Sequence, residues 1–241
     1  MAMQARAVTE AVVLDTDEKL SASQAKALYS AGARTVIRYV PLPGSAPGWD
    51  LDAAELATLT EADLVVVVIQ HPRKPQDNVL SAATGASDAA AAIAYCRQIG
   101  YVQQADGLDM EGVKNPGPSS FAHALTWVTD VLSAGYGALV YFGYSCGVTS
   151  AQADQIAGLG AVVFWCDAGA YKLRPTPARG YALKQGLQSA MAGVDIDRDD
   201  LLQPGVIFGL AAASGSGSDS DEELAPASDP EPHVDPSGPT V

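Results

Sequence analysis

The sequence predicts an α/β fold, a flattened TIM-like β/α barrel, and three observations carry that prediction. Eight apolar, β-rich runs recur along the chain, at 11–14, 35–40, 64–70, 107–110, 138–144, 161–166, 181–185 and 194–196. Stretches of helical composition and periodicity separate the first six, the alternation that a parallel sheet with crossover helices requires. The last three runs then follow one another with little helix between them, so five β/α units are succeeded by three nearly bare strands.

Local start and stop signals place the helices. The first follows Ser21 or Ser23 as N-cap and ends near Gly32, and the second spans about 52–62. The Ala-rich stretch 87–100 begins on a Ser and ends on a Gly, residues suited to the two ends of a helix. Segments 119–135 and 149–158 supply the fourth and fifth. Residues 168–180 carry Pro175 and Pro177 and form a loop. A short closing helix within 201–213 is disfavoured by Pro204 and Gly205. From about Ser214 the chain turns to Gly, Ser, Pro, Asp and Glu, which cannot bury enough apolar surface to offset its ordering entropy. The expected organisation is therefore a barrel over 1–213 and a disordered acidic tail over 214–241.

With 241 residues, 48% hydrophobic and 17% charged, the chain is long enough for one large core. The 28 acidic against 14 basic residues give a net charge of −14, which repels nucleic-acid phosphates and anionic membrane surfaces. Neither is an expected partner. Asp219, Asp221, Glu222, Glu223, Asp229, Glu231 and Asp235 lie in the tail, so the folded part is only mildly acidic. Cys96, Cys146 and Cys166 lack the spacing of a zinc or redox motif and fit buried, small apolar positions. Residues 1–10 lack the apolar stretch of a Sec signal, and no run approaches the length of a membrane span. The expectation is a product that is cytoplasmic when made, then released by lysis or loaded into a particle.

In a parallel barrel, chemistry gathers at the C-terminal ends of the strands. There the sequence places Asp15 and Asp17, Tyr39, His71, Asp109 and Glu111, Tyr141, Trp165 and Asp167, Gln185, and Asp195 with Asp197. Asp109 and Glu111 are two apart on a strand, so both side chains leave one side of the backbone while Met110 leaves the other. Two carboxyls so close raise the pKa of at least one, keeping a protonated acid available at neutral pH. The neighbouring aromatics suit the apolar faces of sugar rings. Asp17, Asp167 and Asp197 fit N-caps, loop acids or ligands alike, and His71 fits substrate contact or ordinary hydrogen bonding. Arg38 suits pairing with a carboxylate; Trp49 and Trp127 suit packing.

Taken in order, LDTDEKLS, VIRYV, VVIQHPR, GLDMEGV, VYFGYS, VFWCDAG and GVDIDRDDLL resemble the bacterial glycoside-hydrolase-like domain family of unknown function. That family is similar in turn to the lysozymes of glycoside hydrolase family 25. The resemblance covers about residues 10–210 and implies the same flattened barrel and an activity on peptidoglycan, cleavage of the β-1,4 glycan bond. It implies Glu111 as general acid, and Asp109 assisting a substrate acetamide or stabilising positive charge. Asp15 and Asp195 would orient sugar and water, with Tyr39, His71, Tyr141, Trp165, Gln185 and Asp197 as substrate contacts. No cofactor and no metal are expected, since His71 with the acids lacks the several His ligands of a hydrolytic zinc centre. The expected partner is cell-wall glycan, and the free protein is expected to be a monomer. Two other functions fit: a glycan-binding module that does not cut, and a component of a phage tail or contractile injection particle with its proteins as partners.

If the tail is dispensable, truncation after Ala213 should leave the melting temperature almost unchanged in a thermal denaturation scan. A large drop would show that the tail docks on the barrel.

Overall fold

The barrel closes through eight strands of two polarities. The computed structural model describes residues 3–9, 12–45, 48–73, 80–102, 104–113, 117–143, 145–167 and 175–212, and the tail proposed for 214–241 lies outside them. In chain order the elements are β1 (Met3–Ala7), β2 (Val12–Asp15), α1 (Ala22–Ser30), β3 (Thr35–Val40), α2 (Ala53–Glu61), β4 (Val65–Gln70), α3 (Ala82–Ile99) and β5 (Ala105–Asp109). They continue with α4 (Pro118–Ser133), β6 (Gly137–Phe142), α5 (Ser150–Ala157), β7 (Val162–Cys166), β8 (Leu183–Met191), β9 (Val194–Leu201) and β10 (Phe208–Ala212). Strands β2 to β8 run parallel in sequence order, and β9 closes the ring antiparallel to both β8 and β2. The five helices and the bare final strands match the expected flattened barrel.

Helix starts follow side chains that satisfy the first free N–H groups. Ser21, Asp52 and Thr149 cap α1, α2 and α5 where the sequence signals place them. Helix α3 begins five residues before Ser87, because Ser81 and Thr84 form a reciprocal capping pair that outcompetes it. Gly85, inside that helix, lies against the His123 backbone carbonyl of α4, where a Cβ would collide.

Strands β1 and β10 were not expected from the sequence. They pair antiparallel, and Leu210 of β10 pairs with Val66 at the N-terminal half of β4, so the segment thought a doubtful helix is a strand. Gly209 makes this possible, since a Cβ there would run into the Val66 carbonyl.

Strand alternation sorts the core into two clusters. Val13, Ile37, Val67, Ile69, Leu139, Tyr141, Trp165 and Leu183 face the barrel axis. Leu14, Val36, Val66, Val68, Leu108, Val140 and Phe164 pack outward against Leu28, Leu56, Val128 and other helix residues. Two polar residues on the outward side, Arg38 and Gln70, are tied to neighbouring loops and helices. Arg38 Nε donates to Glu55 Oε1 at 2.8 Å, and its Nη2 donates to the Trp49 carbonyl at 2.7 Å; Nη1 reaches the Thr16 carbonyl. The pair is wholly buried and joins the β2–α1 and β3–α2 loops. Arg38 therefore serves a helix carboxylate, and none of the strand-end acids. Gln70 donates to the carbonyls of Pro41 and Asp88 and accepts from Trp127 Nε1 at 2.8 Å, which makes Trp127 the packing residue expected. Trp49, expected to pack as well, is 54% exposed. All three cysteines are buried and none forms a disulfide among the described residues.

Replacing Arg38 with Met would leave the Glu55 carboxylate buried and unpaired, and should cost about 3–5 kcal/mol in urea unfolding. Asp106, fully buried beside Cys96, has its carboxyl pushed up to about 8 by desolvation, against an ordinary 3.8. Between those values the folded state holds the proton more tightly than the unfolded chain, so its contribution to stability falls as pH rises. Asp106→Asn has no such proton to lose, and a series of melting curves across that range should show a shallower decline than the wild type.

Candidate active site

The acids at the top of the barrel stand on an apolar floor built by the same alternation. The ladder continues past the end of β5, because Met110 N–H donates to the Tyr141 carbonyl at 3.1 Å. Asp109 and Glu111 therefore share the inner side while Met110 is buried outward. Asp109 Oδ1 accepts the Glu111 backbone N–H at 2.8 Å, which fixes the pair's spacing. Gly143, just past β6, leaves room for Glu111: a Cβ there would lie 2.8 Å from the glutamate's Cβ and Cγ.

Across the barrel, Asp15 of β2 is in register with Asp197 of antiparallel β9. Gln185 of β8 ties them, donating from Nε2 to Asp15 Oδ2 at 3.1 Å and to Asp197 Oδ2 at 3.0 Å, while its Oε1 accepts the Tyr141 hydroxyl at 2.6 Å. Below them Trp165 stacks at a tilt on Tyr141, ring centroids 4.4 Å apart, and donates Nε1 to Asp199 Oδ1 at 2.9 Å. Asp195 lies beyond the barrel ring, on the part of β9 that extends above it, and its carbonyl accepts the Thr16 hydroxyl at 2.8 Å.

Above this floor opens a cleft of about 290 Å3 with Asp15, Asp17, Asp109, Glu111, Asp195 and Asp197 in its wall, together with Tyr39 and His71. The four acids expected to act together, Asp15, Asp109, Glu111 and Asp195, thus open into one space. Tyr39 and His71 stack with centroids 4.7 Å apart, and His71 Nε2 lies 2.7 Å from Asp50 Oδ1. Tyr141, Trp165 and Gln185 do not line the cleft. Trp165 is wholly buried one layer below, so it supports the floor and has no face free for a sugar. Thr16, Pro72 and Gln188 line the cleft without having been singled out in the sequence. The first two flank Asp15 and His71 and were within reach of a strand-end argument; Gln188 carries no local signal. A larger cavity of about 580 Å3 opens at the opposite end of the barrel, but Ala5, Ala105, Gly137, Ala138 and Val162 give it a mainly apolar wall without any acid.

Burial beside like charges raises the acids together. Desolvation pushes the Asp15 carboxyl up to about 7, opposed by the Gln185 hydrogen bond and aided by Asp197, Asp17 and Glu111. Desolvation, then the charge of Glu111, holds Asp109 well above the usual carboxylate range. Glu111 is raised by burial and by Asp167 and Asp197, and Asp197 by burial, Asp167 and Asp17. Burial and like charge therefore favour the protonated form of these acids in a place a ligand can reach. Among the described residues, no group of three or more His, Cys, Asp and Glu side chains is arranged to hold a metal ion. No helix among them is long and apolar enough to cross a membrane.

Residues 26–200 match the family model of the Rv2525c-like, glycoside hydrolase-like domain. No curated protein sequence matches the chain. Among solved structures, the Tat-secreted protein Rv2525c of Mycobacterium tuberculosis, crystallised with HEPES, is similar with a TM-score of 0.59 at 22% identity, over 80% of this chain and 96% of that one. An uncharacterised protein of B. stearothermophilus gives 0.61 at 15% identity, over 79% and 95%. The modular autolysin LytC of Streptococcus pneumoniae, in complex with a synthetic peptidoglycan ligand, gives 0.53 at 12% identity, over 78% of this chain and 46% of LytC. The expectation of a product that is cytoplasmic when made, then freed by lysis or loaded into a particle, is corrected by the first of these. Its fold is that of a Tat-secreted protein, so the lack of a Sec-type apolar stretch in residues 1–10 gives no ground for assigning the cytoplasm. The family match spans well over half the sequence and includes β3 to β8 and most of β9, and the chain belongs to the Rv2525c-like family of glycoside hydrolase-like domains.

Proposed function

We propose that this domain is a glycosidase of lysozyme type that cuts the β-1,4 glycan bond of peptidoglycan. The observation that carries the reading is the Asp109–Glu111 pair, fixed on one inner side and raised by burial in a cleft shared with Asp15 and Asp195. Support comes also from LytC, a protein of the same fold bound to a synthetic peptidoglycan ligand. Its substrate lies outside the cytoplasmic membrane, in keeping with an exported relative.

Within the pair the more accessible member is the proton donor. Asp109 is 6% exposed, while Glu111 is only partly buried. Glu111 thus gives its proton to the glycosidic oxygen as the bond to the anomeric carbon breaks. Asp109 assists the substrate acetamide or stabilises the positive charge that develops on the ring. Asp15, held by Gln185, and Asp195 orient sugar and water. Tyr39, stacked on His71, offers an aromatic wall to a sugar face.

Incubating the pure protein with cell-wall sacculi and looking for new reducing ends by mass spectrometry tests the reading. Sacculi bound but never cut, over a broad pH range and several wall chemotypes, would make the domain a binding module.

Glu111→Gln should lower cleavage by about 10²- to 10⁴-fold while leaving glycan affinity and fold nearly intact, since an amide keeps the shape but delivers no proton. Wild-type rates in that variant would remove Glu111 from the role. Asp109→Asn should impair cleavage too, because an amide supplies no negative charge. Activity carried by a protonated Glu111 is lost as pH rises through its raised pKa, so the alkaline limb of the rate profile should disappear along with activity in Glu111→Gln.

A further inference from the structure

The β8–β9 hairpin rises above the barrel ring, and a single extra residue decides what it presents to the cleft. In β8, Leu183 and Gln185 face inward, and unbroken alternation would next turn residue 187 inward. The register with β9 is shifted instead: Gln185 stands opposite Asp199 and Gln188 opposite Asp197, so three steps on β8 match two on β9. Directly opposed residues of an antiparallel pair share a face. The bulge therefore inverts the phase, placing Gln188 on the inner side with Asp197 and turning Leu187 out to 84% exposure. Gly186 makes the bulge possible, because a Cβ there would strike the Arg198 carbonyl across the hairpin. Bulges commonly re-aim a side chain at the rim of a barrel.

Gln188 stands in an unusual position. It is the one carboxamide among the described residues lining the cleft, and its side chain makes no hydrogen bond with any described residue. Most of its neighbours are acids that accept hydrogen bonds when ionised. A carboxamide offers a donor pair and an acceptor from one planar group, which matches the adjacent hydroxyls of a neutral pyranose ring. Resting on the glycan reading above, we infer that the hairpin is a substrate-holding arm, with Gln188 as a sugar-contacting residue that the Gly186–Leu187 bulge turns into the cleft.

The test measures binding of solubilised peptidoglycan glycan strands by the full chain. Gln188→Ala should weaken the Kd about tenfold, the loss of two ordinary neutral hydrogen bonds, with an unchanged melting temperature. Gln188→Asn, which keeps the carboxamide one methylene shorter, should recover part of the loss. Exchanging the two residues (Leu187→Gln with Gln188→Leu) keeps the bulge but turns the carboxamide outward and should reproduce the loss, whereas Leu187→Ser alone should bind as the wild type does. Equal binding by wild type and Gln188→Ala overturns the inference and leaves the glycan reading standing. Failure of the wild type itself to bind the strands overturns the glycan reading and the arm with it.

Discussion

The site depends on carboxylates being seated on a dry floor. Around the barrel the inward positions run from Val13, Ile37, Val67 and Leu139 up through Tyr141 and Trp165, with Asp199 buried among them on the Trp165 indole N–H, and the cleft acids occupy the topmost inward positions. Water reaches these groups from one side alone. An ionised carboxylate over such a floor loses hydration that it cannot replace, and each neighbour that ionises makes the next less willing. Proton retention in the cleft is therefore a property of the layer below it as much as of the acids.

What keeps the geometry in place is a set of outward-facing polar residues that do no chemistry. Arg38 and Glu55 hold the loops after β2 and β3 against α2, and Gln70 joins the end of β4 to α3 and α4. Each group is buried and each bond is directional, so the strand ends are located by hydrogen bonds as well as by packing. Arg73, paired with Asp88 of α3, adds a third tie at the β4 end.

Much of this was legible in the sequence where the cause is local. Ser21, Asp52 and Thr149 cap their helices within three residues, and the Asp109–Glu111 pairing follows from a two-residue period. What failed to show has non-local causes. The period is the same whichever way a strand runs, so nothing in Val194 to Leu201 announces that β9 is antiparallel, although the acids still reach the right end of the barrel. β1 and β10 exist through pairing across two hundred residues. Trp165 lies on the inner side as alternation requires, yet its depth is set by register with Tyr141, which the sequence does not contain. Gln188 was invisible because a bulge is visible only once both strands are laid side by side.

The reversal of β9 has an evolutionary consequence. Where the other strands deliver loops that must lead into a helix or the next parallel strand, this edge of the cleft ends in a tight turn at Ala192 and Gly193, both with positive φ, at 54° and 76°. Residue pairs can be added to or removed from the two strands near such a turn without disturbing the ring beneath, since pairing at Asp15–Asp197 and below is unaffected. The hairpin is thus the segment where lineages sharing this scaffold are free to diverge, lengthening or trimming their grip while inheriting the floor unchanged.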